Sequence, residues 1–374
     1  MDSARLLELA GWVRDHPLPL FSLLVSRHGR LVFELYTSGI EPDAAHYLMS
    51  VTKTVTSALY GIAVHDRNAP PPDTQVADAL PADVFPTPSD RERFRSVTLR
   101  DVMAMSALDT PDPPRIHTPE ATARHRAFLA ADNRARFVLA QPVLPHPGVD
   151  YLYNDEGPQL VTAALSYRTG QTAFDLAEEL LFRPLGFRHE EWMHQDPSGL
   201  DNGGYGLRLR PVDMQKLGLL FLRRGAWNGR QLVPAAWVDT SFTPWMRTDP
   251  SLARPNYGWF WWTNTYGPGW LTRSASGWKG QFIVVVPEQD LVVTMTACFE
   301  DGHEKSTLDL LMKRFVIPAV LPANATPRVA STTITDALRT TLAAVHASDR
   351  LAAGIEPRMV PSVAPKERRR PLRR

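Results

Sequence analysis

Cysteine is the scarcest reactive residue of this sequence: only Cys298 occurs among 374 residues, so no disulfide bond can form within the chain. Net charge of either sign is also lacking, because 41 lysines and arginines balance 40 aspartates and glutamates. Nucleic acid is therefore not expected as a partner, since proteins that bind it present a concentrated basic surface. Apolar runs of about 18 residues are absent as well, so we expect no membrane-spanning segment and no membrane as partner.

The two ends of the chain show distinct patterns, and the first bears on the location of the protein. The first ten residues show amphipathic helical spacing with early charge, and they lack the apolar core of a signal peptide. We therefore expect a cytoplasmic protein, or a periplasmic one if the true start lies elsewhere.

Residues 366–374 are strongly basic and flanked by proline, which is typical of a solvated, disordered tail rather than a binding site. The sequence predicts no cofactor and leaves the oligomeric state open.

The most informative motif is a serine followed three residues later by a lysine, Ser50 and Lys53. Residues three apart share a helix face, which brings the lysine amine within reach of the serine hydroxyl. A serine at a helix N-terminus beside a buried amine is a candidate nucleophile. The alternative is that Ser50 only caps the helix while Lys53 extends to solvent. The apolar residues that give the helical spacing are Val51, Val55, Leu59, Ile62 and Ala63.

A second serine and lysine with the same spacing, Ser276 and Lys279, lie in a different local pattern. Gly277 and Gly280 interrupt this segment, and the apolar run 281–286 follows with the β-branched composition of a strand. We interpret it as a turn that leads into a strand. The spacing alone therefore does not identify a nucleophile.

Strand patterns lie at both ends of the sequence, with helical patterns between them. A β-hairpin closed by a glycine turn is predicted at 21–36. Later strands, whose short separators indicate an antiparallel meander, are predicted at 257–263, 270–276, 281–286 and 291–297. Helices are predicted at 99–105, 130–140, 157–167, 174–182, 211–223 and 304–315. This order predicts an α+β fold, in which one antiparallel sheet is completed from both termini around a helical insertion.

The same order suggests a division into lobes. We predict a discontinuous α/β lobe of residues 1–75 and 205–325, with a mostly helical lobe of residues 76–204 inserted in it. Residues 326–374 are predicted to form a C-terminal extension that ends in the basic tail. A cleft between two such lobes is the usual place of an active site.

Five segments, in order along the chain, carry a resemblance to a known family. They are residues 24–34 before Ser50 and Lys53, then 97–106, 147–157, 203–218 and 274–287. On these segments the chain resembles the β-lactamase-related serine hydrolases over roughly residues 15–320. This superfamily includes class C β-lactamases, D,D-peptidases, family VIII carboxylesterases and 6-aminohexanoate-dimer hydrolases. The resemblance implies a β-lactamase/penicillin-binding-protein-like fold, with an antiparallel sheet flanked by helices.

The resemblance also implies roles for individual residues. Ser50 is expected to be the acylated nucleophile, and Lys53 its proton partner. Tyr153 takes the place of the family tyrosine, whose hydroxyl carries the proton to the leaving group. Tyr151 is its rival, and a packing role is the alternative for Tyr153. The oxyanion hole is expected from the backbone N–H groups of Ser50 and Trp278, although the Trp278 indole could equally be packed in the core.

Two departures from the family pattern bear on the substrate. Asp155 stands where the family has an asparagine, which removes an amide donor and adds an acceptor or a charge. Ala275 stands where relatives that recognise lactams have a lysine, which binds a substrate carboxylate. We assign Asp155, Ser276 and Gly277 to substrate binding and to support of the site.

We therefore expect hydrolysis of small esters or amides through an acyl-enzyme, by a carboxylesterase or amidase type of activity. Three alternatives stay open: a β-lactamase or D,D-peptidase activity, acyl transfer to an acceptor other than water, and a non-catalytic binding protein on the same scaffold.

Two further patterns invite functional interpretations that we do not favour. Residues 189–194 begin and end with histidine, but the zinc-protease pattern needs histidine where Met193 stands. We predict a surface turn there and no metal site. Residues 203–206 are rich in glycine but lack the lysine and hydroxyl ending of a phosphate loop, so we assign these glycines to a tight turn.

Overall fold

A computed structural model describes residues 1–37, 39–110, 118–248, 256–300, 302–322 and 331–347, and the basic tail predicted at 366–374 lies outside these ranges. The strands are β1 (Leu20–Arg27), β2 (Arg30–Tyr36), β3 (His46–Tyr47), β4 (Glu191–Trp192), β5 (Leu207–Leu209), β6 (Ala226–Trp227), β7 (Arg230–Gln231), β8 (Met246–Arg247), β9 (Asn256–Tyr257), β10 (Trp262–Thr265), β11 (Leu271–Gly277), β12 (Gln281–Val286) and β13 (Leu291–Ala297). The helices are α1 (Ser3–Asp15), α2 (Val51–Asp66), α3 (Val76–Ala79), α4 (Pro88–Arg93), α5 (Leu99–Met103), α6 (Pro119–Ala130), α7 (Arg134–Leu139), α8 (Pro158–Thr169), α9 (Ala173–Ala177), α10 (Arg183–Leu185), α11 (Pro211–Leu222), α12 (Ala235–Phe242), α13 (Glu304–Leu311), α14 (Ile317–Ala319) and α15 (Thr332–His346). The π-helical turns Glu178–Phe182 and Met312–Val316 continue α9 and α13.

The described chain forms two compact units, each of which is discontinuous in the sequence. The first unit comprises residues 1–47, 209–222 and 265–347. The second unit comprises residues 48–208 and 223–264. Every helix from α2 to α10 therefore belongs to the second unit, together with α12.

The first unit contains an antiparallel sheet with the strand order β2-β1-β13-β12-β11. Strands from the two ends of the chain are direct neighbours in it, since Val25 of β1 lies opposite Val293 of β13. The hairpin of β1 and β2 turns at His28 and Gly29, whose φ angles of 50° and 70° suit a tight two-residue turn. The predicted α+β class is confirmed.

Helices cover the apolar face of this sheet. Four apolar residues of α1 recur with helical spacing and are buried. They pack with strand residues, with α13 and with the partly buried Leu338 and Leu342 of α15. The buried residues that α1 contributes are Leu6, Leu9, Ala10 and Val13.

Helix α2 lies inside the second unit, where all of its residues from Val51 to Ala63 are buried. Two of its threonines bond to main-chain carbonyls: the Thr54 hydroxyl donates to Phe260 O at 2.9 Å and the Thr56 hydroxyl to Gly203 O at 2.9 Å. Buried hydroxyls need such partners, because an unpaired one costs free energy. These bonds fix α2 against two loops of its own unit.

The strand predicted at 257–263 is wrong, because this segment is a hairpin. Tyr257 of β9 pairs with Trp262 of β10, and residues 258–261 form the turn between them. Phe260 has a left-handed φ of 62° and donates its N–H to Met103 O at 3.1 Å. Gly258 passes so near the main chain that an added Cβ would lie 2.1 Å from Ser241 O. The Phe260 N–H is therefore bonded outside the sheet, whereas a continuous strand would need it for a hydrogen bond to a neighbouring strand.

The helices of the described chain leave no candidate membrane span, since none combines sufficient length with sufficient apolar character.

Candidate active site

Ser50 stands directly before α2, and its hydroxyl faces a lysine rather than the helix backbone. Ser50 is the N-cap residue but makes no capping hydrogen bond through its side chain. Lys53 Nζ lies 2.8 Å from Ser50 Oγ. Lys53 does not extend to solvent, because its side chain is only 1% exposed. The geometry is that of a hydroxyl nucleophile paired with a buried amine.

Lys53 Nζ makes two further hydrogen bonds inside the second unit. It donates to Gly204 O at 3.0 Å and closely to Asp155 Oδ1. Asp155 Oδ1 also accepts a bond of 3.3 Å from Ser50 Oγ. Serine, lysine and aspartate therefore form a closed triangle of contacts, in which the Asp155 side chain is 11% exposed.

The loop that carries Asp155 is fixed by the segment that follows α5. Leu152 donates its N–H to Met105 O at 2.9 Å, and the Ser106 hydroxyl donates to Asp150 O at 2.6 Å. At the other end of the loop, Asn154 Oδ1 accepts the N–H of Gly157 at 2.7 Å, just before α8 begins. These bonds hold the loop in place from both sides.

Tyr153 lies on the same loop with its ring against the lysine. Lys53 Nζ is 5.0 Å from the centre of the Tyr153 ring, which is close enough for a cation–π contact. The ring is stacked on Trp262 at 5.7 Å and meets Tyr257 edge-on at 6.1 Å. The rival Tyr151 also contacts Tyr257, with ring centres 5.7 Å apart. Tyr153 is thus locked by its neighbours beside Lys53.

Gly204 is a site residue that the sequence analysis missed. Its carbonyl binds Lys53, and its Cα lies so near the Asp155 main chain that an added Cβ would be 2.3 Å from Asp155 O. Asn202 Oδ1 fixes the segment around Gly204 by accepting the N–H of Gly204 at 2.8 Å. At Gly203 and Gly204 glycine is required by close backbone approach, and Gly206, at φ 110°, has the backbone angle of a turn glycine. The Gly-Gly pair could have signalled this approach.

We expect Gly204→Ala to lower kcat/KM for a chromogenic ester about tenfold to hundredfold. The new methyl group must push the segment around Gly204 away from the Asp155 main chain, which moves the carbonyl that orients Lys53. Small misplacements of catalytic groups lower the rate by up to about 10²-fold. Gly11→Ala is the matched control, because an added Cβ at Gly11 of α1 meets nothing within 4 Å. An unchanged rate in Gly204→Ala would contradict the role of this carbonyl.

Further charged groups lie close to the triangle. Glu156 is fully buried, and burial raises its pKa, although Arg124, whose Nε donates to Glu156 Oε1 at 3.3 Å, opposes the shift. His125, on α6 beside Arg124, has its pKa lowered by burial, while the charge of Asp155 acts in the opposite direction. The site therefore combines two neighbouring carboxyl groups with cations of α2 and α6.

The remaining predicted residues belong to the first unit. Ala275 and Ser276 lie on β11, opposite Ile283 and Phe282 of β12, and Gly277 ends the strand. Trp278 follows in the turn with half of its surface exposed.

The second serine–lysine pair has different surroundings. Lys279 has a left-handed φ of 64°, and its Nζ bonds to Glu300 at 2.9 Å. The interpretation of this segment as a turn that leads into a strand is confirmed.

Metal-binding geometry does not occur within the described ranges, where no three histidine, cysteine, aspartate or glutamate side chains are grouped to hold an ion. His189 and His194 instead have left-handed φ angles of 60° and 64° at the two sides of β4.

The sequence and the fold are both similar to known proteins. The family model described as Beta-lactamase matches residues 13–311. A 6-aminohexanoate-dimer hydrolase from Paenarthrobacter ureafaciens is 21% identical over 291 residues, which are 75% of this chain and 73% of the relative. The solved structure of EstCE1, a hydrolase with promiscuous acyltransferase activity, is similar with a TM-score of 0.66 at 16% identity, covering 85% of this chain and 97% of that one. The octameric penicillin-binding protein homologue from Pyrococcus abyssi gives a TM-score of 0.63 at 15% identity, covering 85% of this chain and 78% of that one.

Proposed function

The chain belongs to the β-lactamase family, and we propose that within it the protein is a serine hydrolase that cleaves small esters or amides through an acyl-enzyme on Ser50. The observation that carries the proposal is the 2.8 Å contact between Ser50 Oγ and the buried amine of Lys53. A cationic or proton-exchanging amine at this distance activates a hydroxyl for attack on a carbonyl carbon. The same geometry argues against a non-catalytic binding protein, which has no use for a buried lysine beside a serine.

The proposed reaction has two halves. Ser50 Oγ attacks the carbonyl carbon and releases the alcohol or amine, and water then hydrolyses the acyl-enzyme. Lys53 and Tyr153 are the proton-transfer groups, and the Tyr153 hydroxyl delivers the proton to the leaving group. The developing oxyanion is assigned to the backbone N–H groups of Ser50 and Trp278, as the resemblance implies.

The substrate class follows from Ala275. Relatives that act on lactams have a lysine at this strand position, and its ammonium binds the carboxylate of the antibiotic. An alanine offers no such partner, and a carboxylate that loses water without one is costly to bind. Neutral esters and small amides lose nothing by the substitution, so they are the substrates we propose. The 6-aminohexanoate-dimer hydrolase, by its name, hydrolyses a dimer of 6-aminohexanoate.

We expect short acyl esters to be cleaved well, some small amides slowly, and penicillins or cephalosporins poorly or not at all. A charge-assisted hydrogen bond is worth about 1.5 to 3 kcal/mol, so its absence costs carboxylate-bearing substrates roughly one to two decades in rate. Ala275→Lys should raise kcat/KM for nitrocefin relative to an uncharged ester. Hydrolysis of nitrocefin by the unmodified protein at a rate comparable with its ester turnover would overturn the ester preference and restore the β-lactamase alternative.

A further inference from the structure

We infer that Asp155 is a catalytic carboxylate, which takes the proton of Ser50 during attack while Lys53 remains the cation beside it. The inference rests on the proposed function, because it needs Ser50 to be the nucleophile. It departs from the resemblance, in which the lysine is the proton partner of the serine and an asparagine occupies the position of Asp155.

The contacts of Asp155 carry the first part of the inference. Its Oδ1 lies 3.3 Å from Ser50 Oγ, the atom that reacts, and accepts the hydroxyl hydrogen. The same oxygen accepts an N–H of Lys53, and a carboxylate oxygen has lone pairs for both donors. An asparagine oxygen at this place could accept the same hydrogen bonds but could not retain a proton.

The surroundings of Lys53 Nζ carry the second part. Gly204 O and Asp155 Oδ1 are acceptors only, so each takes one N–H of the lysine. The third N–H of an ammonium group then meets Ser50 Oγ at 2.8 Å. A neutral amine would leave the Asp155 charge without the cation beside it, in a place where its side chain is only 11% exposed. The resting lysine is therefore the cation, and the hydroxyl proton of Ser50 is directed to Asp155.

The steps balance with these three groups. Ser50 Oγ bonds to the carbonyl carbon as its proton passes to Asp155 Oδ1. The bond from that carbon to the leaving oxygen or nitrogen then breaks, and the leaving group takes a proton that Lys53 releases through the Tyr153 hydroxyl. Asp155 returns its proton to Lys53 across their direct contact, which restores the ion pair. In deacylation the water oxygen bonds to the acyl carbon as its proton passes to Asp155. The bond from that carbon to Ser50 Oγ then breaks, and Ser50 Oγ leaves with a proton from Lys53. Asp155 again returns its proton to Lys53, which restores the starting state.

The pH dependence separates Asp155 from a lysine base. A carboxylate accepts a proton only when ionised, so reactivity should be lost as the pH falls through a carboxyl range and should stay level above it. A lysine base would instead give reactivity that rises toward the alkaline range, where ammonium groups ordinarily lose their proton. Among the described residues, the charged groups that act on Asp155 include Lys53, Glu156 with Arg124, and His125. Glu156, as the neighbouring carboxyl group, needs its own control.

The first test uses the unaltered protein and a fluorophosphonate probe, which reacts with Ser50 without needing a natural substrate. We expect the labelling rate to reach its plateau below neutral pH. A rate that still climbs between pH 8 and pH 10 would overturn the role of Asp155 but leave the proposed function intact. Absence of Ser50 labelling at every pH would overturn both.

The second test compares Asp155→Asn, Asp155→Glu and Glu156→Gln, with p-nitrophenyl acetate as the ester and thermal unfolding as the check on folding. Asp155→Asn should lose about 10²- to 10⁴-fold in kcat/KM at neutral pH. The acid limb of its pH–rate profile, where kcat/KM falls with falling pH, should move to higher pH, because Lys53 must first deprotonate. Asp155→Glu should regain part of the rate with an acid limb in the carboxyl range. Glu156→Gln is a matched change of a buried carboxyl group, and it should leave the acid limb of the pH–rate profile at the same pH as in the unaltered protein. If Asp155→Asn is folded and both its kcat/KM and the acid limb of its pH–rate profile are unaltered, Asp155 does not take the proton of Ser50.

Discussion

Replacing Ser50 by alanine should lower kcat/KM for a chromogenic ester by about 10⁴- to 10⁶-fold, the range found when a serine nucleophile is removed. The reacting oxygen disappears, while Lys53 and Asp155 keep each other as partners. Because that ion pair remains, the variant should fold, with a midpoint of thermal unfolding close to that of the unaltered protein. Steady-state ester kinetics and a thermal scan on the same preparation measure both effects.

Ser57→Ala is the matched control for this variant. Ser57 is also a buried serine of α2, and its hydroxyl has no hydrogen-bond partner among the described residues. Removing it should leave the ester activity unchanged and should not lower stability, since a buried unpaired hydroxyl contributes nothing favourable. Equal losses in Ser50→Ala and Ser57→Ala would show that packing of α2, and not a nucleophile, limits the reaction.

Lys53→Ala and Tyr153→Phe should each cost about 10² to 10⁴ in kcat, the effect expected of a positioned proton-transfer group. The two changes should be strongly non-additive, because groups that act as one unit lose their function together. Lys53→Ala should also destabilise the fold, by about 3 to 5 kcal/mol, because it leaves Asp155 buried without its cation. Denaturant unfolding measures that loss separately from the kinetics.

Tyr151→Phe tests the assignment of the loop. Both tyrosines contact Tyr257, but the ring beside Lys53 Nζ is that of Tyr153. We therefore expect Tyr151→Phe to keep most of its activity. Near-full activity in Tyr153→Phe together with a large loss in Tyr151→Phe would reverse the two roles.

The parts of the fold that sequence patterns predict well are those governed by local periodicity. The apolar runs of 281–286 and 291–297, rich in β-branched residues, coincide with β12 and β13. Ser50 and Lys53 were recognisable because three-residue spacing on a helix places both side chains on one face. Such signals need only the geometry of a single element.

The parts that were missed depend on contacts between distant segments. The aromatic run at 257–263 has strand composition, but hydrogen bonds from Trp259 and Phe260 to Ser241 O and Met103 O fold it into a hairpin. Gly204 binds Lys53 through its carbonyl, a group that every residue has, so the glycine pair indicates the close backbone approach but not the bond to Lys53.

The case of Asp155 is intermediate. Its departure from the family pattern was visible in the sequence, but its contact with both Ser50 and Lys53 was not. A side-chain partner more than a hundred residues away leaves no local periodic signal.

The central claim, that Ser50 is an acylated nucleophile, is tested most directly by mass spectrometry of the intact protein after reaction with a fluorophosphonate, followed by peptide mapping. We expect one adduct per chain, located on Ser50 and absent from Ser50→Ala, while Ser276→Ala still carries it. An adduct located on Ser276, or no adduct with an enzyme preparation that cleaves esters, would show that Ser50 is not the nucleophile.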